Sequence, residues 1–180
     1  MKKIILAVAF AIVCSFGAFA GEGMSKDSIA PDPKDVGSMD GILTALYDVI
    51  SGPAGQKRNW DRFRTLFIPE ARMIPIGKRA DGNTGKKVMS IEDYINSSSP
   101  ILEKMGFFET ELHRKVETFG GVVHVFSTYE SRKMKEDPAP FMRGINSIQL
   151  WNDGKRWWVV TIYWQNETPQ LPIPEKYLKD

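Results

Sequence analysis

RGINSIQLWNDGKRWWVVTIYWQNE, residues 143–167, is the stretch of sequence that decides the fold. It holds four of the five Trp residues and has the β-branched and aromatic composition of two long strands. Asp153-Gly154 lies between them, a pair typical of hairpin turns. Alternation along the second strand predicts one face with Trp158, Val160, Ile162 and Trp164, and the other with Trp157, Val159, Thr161 and Tyr163. Neither face suits open water, so we expect one to cover the core and the other a pocket or a second subunit.

The first 20 residues have the features of an export signal. Lys2-Lys3 precede an apolar run that is too short to anchor the chain across a membrane, and Ala18-Phe19-Ala20 forms a small-residue cleavage site. We expect cleavage after Ala20, with a retained lipid anchor at Cys14 as the less favoured alternative. Cleavage removes the only cysteine, so the mature chain is expected to have no disulfide.

The charge balance disfavours nucleic acid as a partner. Without Lys2 and Lys3 the 24 basic residues fall to 22, which equals the number of acidic residues. A nucleic-acid-binding protein normally carries a basic stripe, and none is present. The sequence therefore predicts a periplasmic or secreted protein that does not bind nucleic acid and does not stay in the membrane after signal removal.

The remaining chain divides into a leader, one domain and a tail. Residues 21–38 are polar and contain two prolines, which predicts a flexible leader. Residues 39–168 are expected to form a single domain. The tail, 169–180, contains Leu171, Ile173, Tyr177 and Leu178 and is too apolar for a free end, so we expect it to pack on the domain.

Helices come before strands along the domain. Apolar spacing predicts helices over 39–50 and 59–67, capped by Ser38 and Asn59. Ser90, with Asp93 three residues later, resembles a capping box that opens a third helix from Ile91 to about Met105. A short strand is predicted over 71–76, and a loop or mobile hairpin over 77–87, between the second and third helices. From Phe107 onward the period is two, which predicts four long antiparallel strands. This order indicates an α+β fold with the helices on one face of a curved antiparallel sheet.

The order of elements and several segments resemble the nuclear transport factor 2-like superfamily, including its SnoaL-like branch. The resemblance covers about residues 39–167. It implies a cystatin-like α+β cone, in which the curved sheet wraps around the helices and leaves a small-molecule pocket in its mouth. The segments that carry it are 59–63 (NWDRF), 66–71 (LFIPEA), 121–125 (GVVHV), 143–144 (RG) and 153–157 (DGKRW).

The resemblance fixes the place of the pocket but not its chemistry, because members of the superfamily include both enzymes and binding modules. In the ketosteroid isomerase-like branch a catalytic carboxylate lies on the strand that here reads Ala71-Arg72-Met73-Ile74-Pro75-Ile76. That strand contains no acid. Proton abstraction by the isomerase arrangement is therefore not expected.

His113 and Glu111 are the first candidates for catalysis. They are two residues apart on a predicted strand, so their side chains are expected to point the same way, as in a carboxylate-oriented imidazole that acts as a general base. Tyr129 is an alternative partner for His113. The simpler interpretation is a solvated strand face with cross-strand charge pairs. The other histidine, His124, belongs to a mostly polar face that is expected to point outward.

Candidate ligand contacts lie mainly on the strands. Along 123–131, one face changes from valines to Ser127 and Tyr129, as a sheet does when it passes from core to pocket mouth. Buried hydroxyl groups satisfied within the core are the alternative. Arg143 is a candidate for binding a ligand carboxylate, unless it forms a structural ion pair. The remaining candidates are Asn146, Gln149, Trp60 and Trp164, although core packing is the more expected role of the two tryptophans.

Two functions fit the sequence best. The favoured one is a non-catalytic, exported domain that binds a small, partly apolar ligand and dimerises through the sheet. The alternative is a SnoaL-like dehydratase, isomerase or hydrolase that uses a His/carboxylate pair or a Tyr in the pocket. An interaction protein whose partner covers the exposed hairpin face is a third hypothesis. No residues have the spacing of a metal site or of a phosphate loop, so we expect no metal and no cofactor.

Overall fold

The computed structural model describes residues 29–79 and 81–179. The predicted signal sequence, 1–20, and the first part of the predicted leader lie outside these residues. The last part of the leader forms helix α1, Pro33–Val36, whose start is capped by the Asp32 carboxylate. Buried Asp35 accepts hydrogen bonds from Arg62 at 2.7 and 2.9 Å. The prediction of a flexible leader is therefore wrong for 33–36, which belong to the domain.

Three further helices follow, α2 (Met39–Ile50), α3 (Trp60–Arg64) and α4 (Ile91–Met105). Their predicted caps are confirmed: Ser38, Asn59 and Ser90 each accept a hydrogen bond from a backbone N–H of the first turn. Helix α3 is shorter than predicted because the chain enters the first strand at Phe67. Helix α4 continues through Pro100.

The strands form one curved, unclosed sheet of six strands in the order β2-β1-β6-β5-β4-β3. The predicted α+β class is confirmed. Neighbouring strands are antiparallel except β1 and β6, which are parallel. Their bounds are β1 Phe67–Lys78, β2 Thr84–Lys86, β3 Phe108–Phe119, β4 Val122–Arg132, β5 Met142–Asn152 and β6 Trp157–Asn166.

A β-bulge changes the predicted faces of the Trp-rich hairpin. Thr161 pairs with Gln149, but the next partners are Val159 and Leu150, so Val160 is the extra residue. A bulge shifts the alternation by one position. Val159 and Ile162 are consequently both buried in the core, although strict alternation places them on opposite faces. The prediction that Val159 and Ile162 face opposite ways is therefore wrong.

The helices cover one face of the sheet, here called the inner face, and the main core lies between them. The fully buried side chains of this core include Ile42, Leu43, Phe63, Leu66, Val125, Ile148 and Val159. Arg58 fixes the helix ends: its buried guanidinium donates to the carbonyls of Ile50 at 2.8 Å, Gly52 at 2.6 Å and Leu102 at 3.0 Å. This residue joins the end of α2 to α4.

The opposite, outer face of the sheet is partly covered by the C-terminal tail. The Tyr177 ring lies 4.9 Å from the Phe126 ring, and the Thr128 hydroxyl donates to the Tyr177 carbonyl at 2.6 Å. Farther along the outer face, Trp151 and Tyr163 are exposed. The tail thus lies over β4 and leaves the hairpin strands β5 and β6 open.

Candidate functional site

A cavity of about 200 Å³ lies between the helices and the inner face of the sheet. Most of its wall is apolar, with aliphatic and methionine side chains from α2, β1, β5 and β6. Six aromatic rings complete the wall, from Tyr47, Phe63, Tyr94, Phe107, Tyr129 and Trp164. Several of these rings pack on one another: the Tyr94 ring lies 5.5 Å from Phe63 and 6.3 Å from Trp164. The contacts between rings fix the shape of the apolar part of the cavity.

Glu109 is the acidic residue of the cavity wall. Its Oε2 accepts a hydrogen bond from the Ser131 hydroxyl at 3.0 Å, and the Asn146 side chain also hydrogen-bonds the carboxyl group. Burial raises the pKa of Glu109 to about 7, although the two hydrogen bonds act in the opposite direction. The group therefore changes charge near neutral pH.

A shallower groove lies beside the cavity, between α2 and β3. Glu109 and Tyr47 contribute to both the groove and the cavity. The groove also contains the carboxylates of Asp48 and Glu111 and the ammonium group of Lys135. The accessible part of the Glu109 surface therefore faces these two spaces.

A chain of hydrogen bonds runs from the cavity to the protein surface. Asn146 Nδ2 donates to Tyr47 Oη at 3.2 Å, and Tyr47 Oη lies 2.6 Å from Ser127 Oγ. Ser127 Oγ donates to Glu111 Oε1 at 2.5 Å. Glu111 Oε2 pairs with Arg114 Nη2 at 2.6 Å. Burial and the nearby Glu109 carboxylate raise the pKa of Tyr47 above its usual range, so the phenol stays protonated.

The Tyr129 phenol crosses the inner face above Gly144. Its hydroxyl donates to Asn166 Oδ1 at 2.6 Å. Gly144 pairs with Tyr129 across the sheet, and a Cβ atom at this position would overlap the phenol oxygen and lie 2.5 Å from the Gln165 carbonyl oxygen. Glycine is thus required by the close approach of the ring rather than by its own backbone conformation.

The predicted catalytic pair does not converge. A bulge at Leu112 lies between Glu111, which pairs with Tyr129, and His113, which pairs with Thr128. Glu111 consequently points to the inner face and reaches Ser127, whereas His113 points to the outer face, where the tail contacts Thr128. The expectation that His113 and Glu111 point the same way is wrong. His124 also lies on the outer face, with Nε2 2.9 Å from Ser147 Oγ.

Three of the predicted ligand contacts, Tyr129, Asn146 and Trp164, line the cavity. Ser127 is fully buried behind Tyr47 and belongs to the hydrogen-bond chain. Trp60 supports the wall from outside, because its ring packs on Phe63 and Tyr94 and its Nε1 donates to Ser99 Oγ at 2.9 Å.

The other two predicted contacts do not face the cavity. Arg143 forms a two-pronged ion pair with Glu167 at 2.8 and 3.1 Å, which was the alternative to ligand binding. Gln149 lies opposite His124 and Thr161, on the outer face. The inner side of β5 is formed instead by Met142, Gly144, Asn146 and Ile148, because side chains alternate along the strand.

Sequence reasoning missed Glu109, Tyr47 and Tyr94. Glu109 lies two residues after the buried Phe107 and therefore shares its face, which is a signal that was present in the sequence. Helical spacing places Tyr47 on the buried side of α2 with Leu43, Leu46 and Ile50, but it does not reveal the polar partner of the Tyr47 hydroxyl. Tyr94 could not be placed from the sequence alone, because its position depends on how α4 crosses the sheet.

Within residues 29–79 and 81–179, no group of three or more His, Cys, Asp and Glu side chains is arranged to hold a metal ion. Over the same residues, no helix is long and apolar enough to cross a membrane.

Comparison with known proteins shows the fold. No family model matches the sequence, and no curated protein is similar to it. A protein of unknown function with a cystatin-like fold from Nostoc punctiforme has a TM-score of 0.54 and 10% identity, over 74% of this chain and 91% of that chain. The β subunit of the benzoate 1,2-dioxygenase from Burkholderia mallei has a TM-score of 0.51 and 11% identity, over 79% of this chain and 95% of the subunit.

A nuclear transport factor 2-like protein of unknown function from Silicibacter pomeroyi is also similar, with a TM-score of 0.48 and 12% identity over 73% of this chain and 94% of that chain. The likeness to the Nostoc punctiforme protein shows that the chain has the cystatin-like fold that the resemblance implied. At these identities the likeness extends to the fold alone.

Proposed function

We propose that this protein is an exported, non-catalytic domain that binds one small, partly apolar molecule in the cavity. The observation that carries the proposal is the cavity itself, an aromatic and aliphatic wall with a polar end at Glu109, Asn146 and Tyr129. This combination is typical of small-molecule sites. A protein cavity of about 150 Å³ holds benzene, so about 200 Å³ suits a molecule with one ring or two small ones.

The binding proposal is tested by native mass spectrometry of protein purified from its own host. We expect the wild type to retain a small molecule that is released on denaturation. Ile148→Phe fills the cavity and is expected to remove that molecule. Ile145→Phe makes the same change on the outer face of the same strand and is the matched control. A wild-type protein that is empty and binds no apolar compound would refute the proposal.

One observation favours an enzyme instead. A general acid or base works best when its pKa lies near the working pH, and Glu109 has a pKa of about 7 inside the cavity. A SnoaL-like dehydratase, isomerase or hydrolase would then use Glu109 with Tyr129, rather than His113. Incubation with extracts of host metabolites separates the two functions. An enzyme consumes a metabolite, and Glu109→Gln abolishes that consumption. A binding domain retains the metabolite chemically unchanged.

Export is the second part of the proposal. The charged start, the short apolar run and Ala18-Phe19-Ala20 support cleavage after Ala20 and a periplasmic or secreted location. The intact mass of the protein recovered from periplasm and medium measures the cleavage site. A full-length chain found only in the cytoplasm would rule this out.

Dimerisation through the sheet is the third part. Trp151 and Tyr163 are 44% and 40% exposed on the hairpin strands, and the tail covers β4 instead of this surface. Aromatic side chains are enriched at protein interfaces. We expect sedimentation equilibrium to give a dimer that Tyr163→Glu dissociates, while Lys155→Glu, in the hairpin turn, leaves it intact. If the wild type sediments as a monomer, this part of the proposal fails.

A further inference from the structure

We infer that the ligand of the cavity is a small organic cation, an amine carried on an apolar body. The inference rests on the proposed function and makes its ligand class specific. It follows from the direction of the hydrogen bonds around Glu109, which decides whether the polar end of the cavity offers hydrogens or only oxygen lone pairs.

The hydrogen of the Tyr47 hydroxyl points away from the cavity. Glu111 is ion-paired with Arg114, and a carboxylate can only accept, so Ser127 donates to Glu111. Ser127 has one hydrogen, and the contact between Tyr47 and Ser127 therefore requires Tyr47 to donate. Tyr47 also accepts from Asn146, which leaves it no hydrogen for a ligand.

Two other hydroxyl groups at this end of the cavity also donate their hydrogens to the protein. Tyr129 donates its hydrogen to Asn166, and Ser131 donates to Glu109. The Asn146 amide hydrogen-bonds both Tyr47 and Glu109. The Tyr94 and Ser98 hydroxyl groups, which also line the cavity, hydrogen-bond each other, and lone pairs on Glu109 and Tyr129 remain for a ligand. A ligand group that donates several hydrogens, as an ammonium group does, matches this end of the cavity.

Charge points to the same class of ligand. Among the described residues, no Lys, Arg or His lines the cavity, and Glu109 is its one acidic residue. In the adjoining groove Asp48 is paired with Arg62 and Glu111 with Arg114, so these two carboxylates are balanced and Glu109 carries the negative charge that faces a ligand. The aromatic rings around Glu109 attract a cation through their π faces.

Binding of a cation should be linked to the ionisation of Glu109. The titratable groups that face it are Tyr47 from α2, Tyr94 from α4 and Tyr129 from β4, and the pKa of each phenol is raised by burial, so all three stay neutral. On its own strand, Glu111 is paired with Arg114. An ammonium group stabilises the Glu109 carboxylate, and binding below the pKa of that carboxyl therefore releases a proton.

The experiment is calorimetry with three probes of similar shape: phenethylamine, phenethyl alcohol and phenylacetate. At about pH 8 we expect the amine to bind at least about tenfold more tightly than the alcohol, and phenylacetate to bind most weakly. Glu109→Gln should remove the preference for the amine and leave the alcohol within about threefold. Glu117→Gln, a change at an exposed carboxylate of the same strand, should leave all three affinities unchanged.

The pH dependence gives a second readout. Near pH 6 the affinity for the amine should fall about tenfold, and the measured heat should depend on the ionisation enthalpy of the buffer because a proton is released. Equal affinities for amine and alcohol, or tightest binding of phenylacetate, would overturn the inference while the proposed binding function stands. If none of the three probes binds, the binding function itself fails.

Discussion

Glu109→Gln should stabilise the protein in a pH-dependent way. The ordinary pKa of a glutamate is 4.5, and burial raises that of Glu109 to about 7 in the folded protein. Between these two values the folded state holds a proton that the unfolded state has released. The contribution of Glu109 to the free energy of unfolding therefore falls as the pH rises from about 4.5 to about 7, and is constant above that.

The size of the effect follows from the pKa difference. Each unit corresponds to about 1.4 kcal/mol, which gives an upper value of about 3 kcal/mol. Glu109 keeps some accessible surface toward the cavity and groove, where water reduces the free-energy cost of burying the charged carboxylate. We therefore expect the advantage of Glu109→Gln over the wild type to be about 2 kcal/mol greater at pH 8 than at pH 4.5.

Urea denaturation followed by tryptophan fluorescence at several pH values measures this difference. The amide keeps the shape of the side chain and removes its charge, so the comparison isolates ionisation. Glu117→Gln, whose carboxylate is 86% exposed, should follow the wild type throughout. A difference between Glu109→Gln and the wild type that does not change with pH would refute the reasoning.

Three further outcomes test the packing. Gly144→Ala should push the Tyr129 phenol from its place and reduce the free energy of unfolding by about 2–4 kcal/mol, whereas Gly121→Ala, where a Cβ meets no atom, should be nearly neutral in urea denaturation. Arg58→Met should cost about 3 kcal/mol because three buried carbonyls lose their donor, and Lys57→Met beside it should have little effect. The Ile173 amide donates to Glu167 at 3.0 Å, so hydrogen exchange should show it protected, and rapid exchange there would contradict a packed tail.

Local signals predicted most of the fold. Ser38, Asn59 and Ser90 cap helices as expected, because a cap depends on residues only two or three positions away. The hairpin turn was likewise predicted from two adjacent residues, Asp153 and Gly154. The parallel pairing of β1 with β6 was not predicted, since it joins strands at the two ends of the domain.

The site was less predictable because two bulges reverse the faces of its strands. Single extra residues at Leu112 and Val160 leave no clear mark in the sequence, yet they separate His113 from Glu111 and bring Val159 and Ile162 to one side. No bulge lies between Tyr129, Asn146 or Trp164 and the neighbouring residues from which its side-chain direction was inferred. The sequence therefore placed these three residues on the correct face of the sheet. Glu109 was overlooked although Phe107 marked its face.

The pairing of β1 with β6 has a consequence for how the protein folds. Phe67 pairs with Val159 and Ile76 with Gln165, so β1 has only the short β2 beside it until the last strand of the sheet has been synthesised. Closing so long a loop is slow, and contacts distant in sequence reduce folding rates. A chain that stops before β6 lacks a central strand of the sheet, so we expect β1 to take its final place only after β6 has been synthesised.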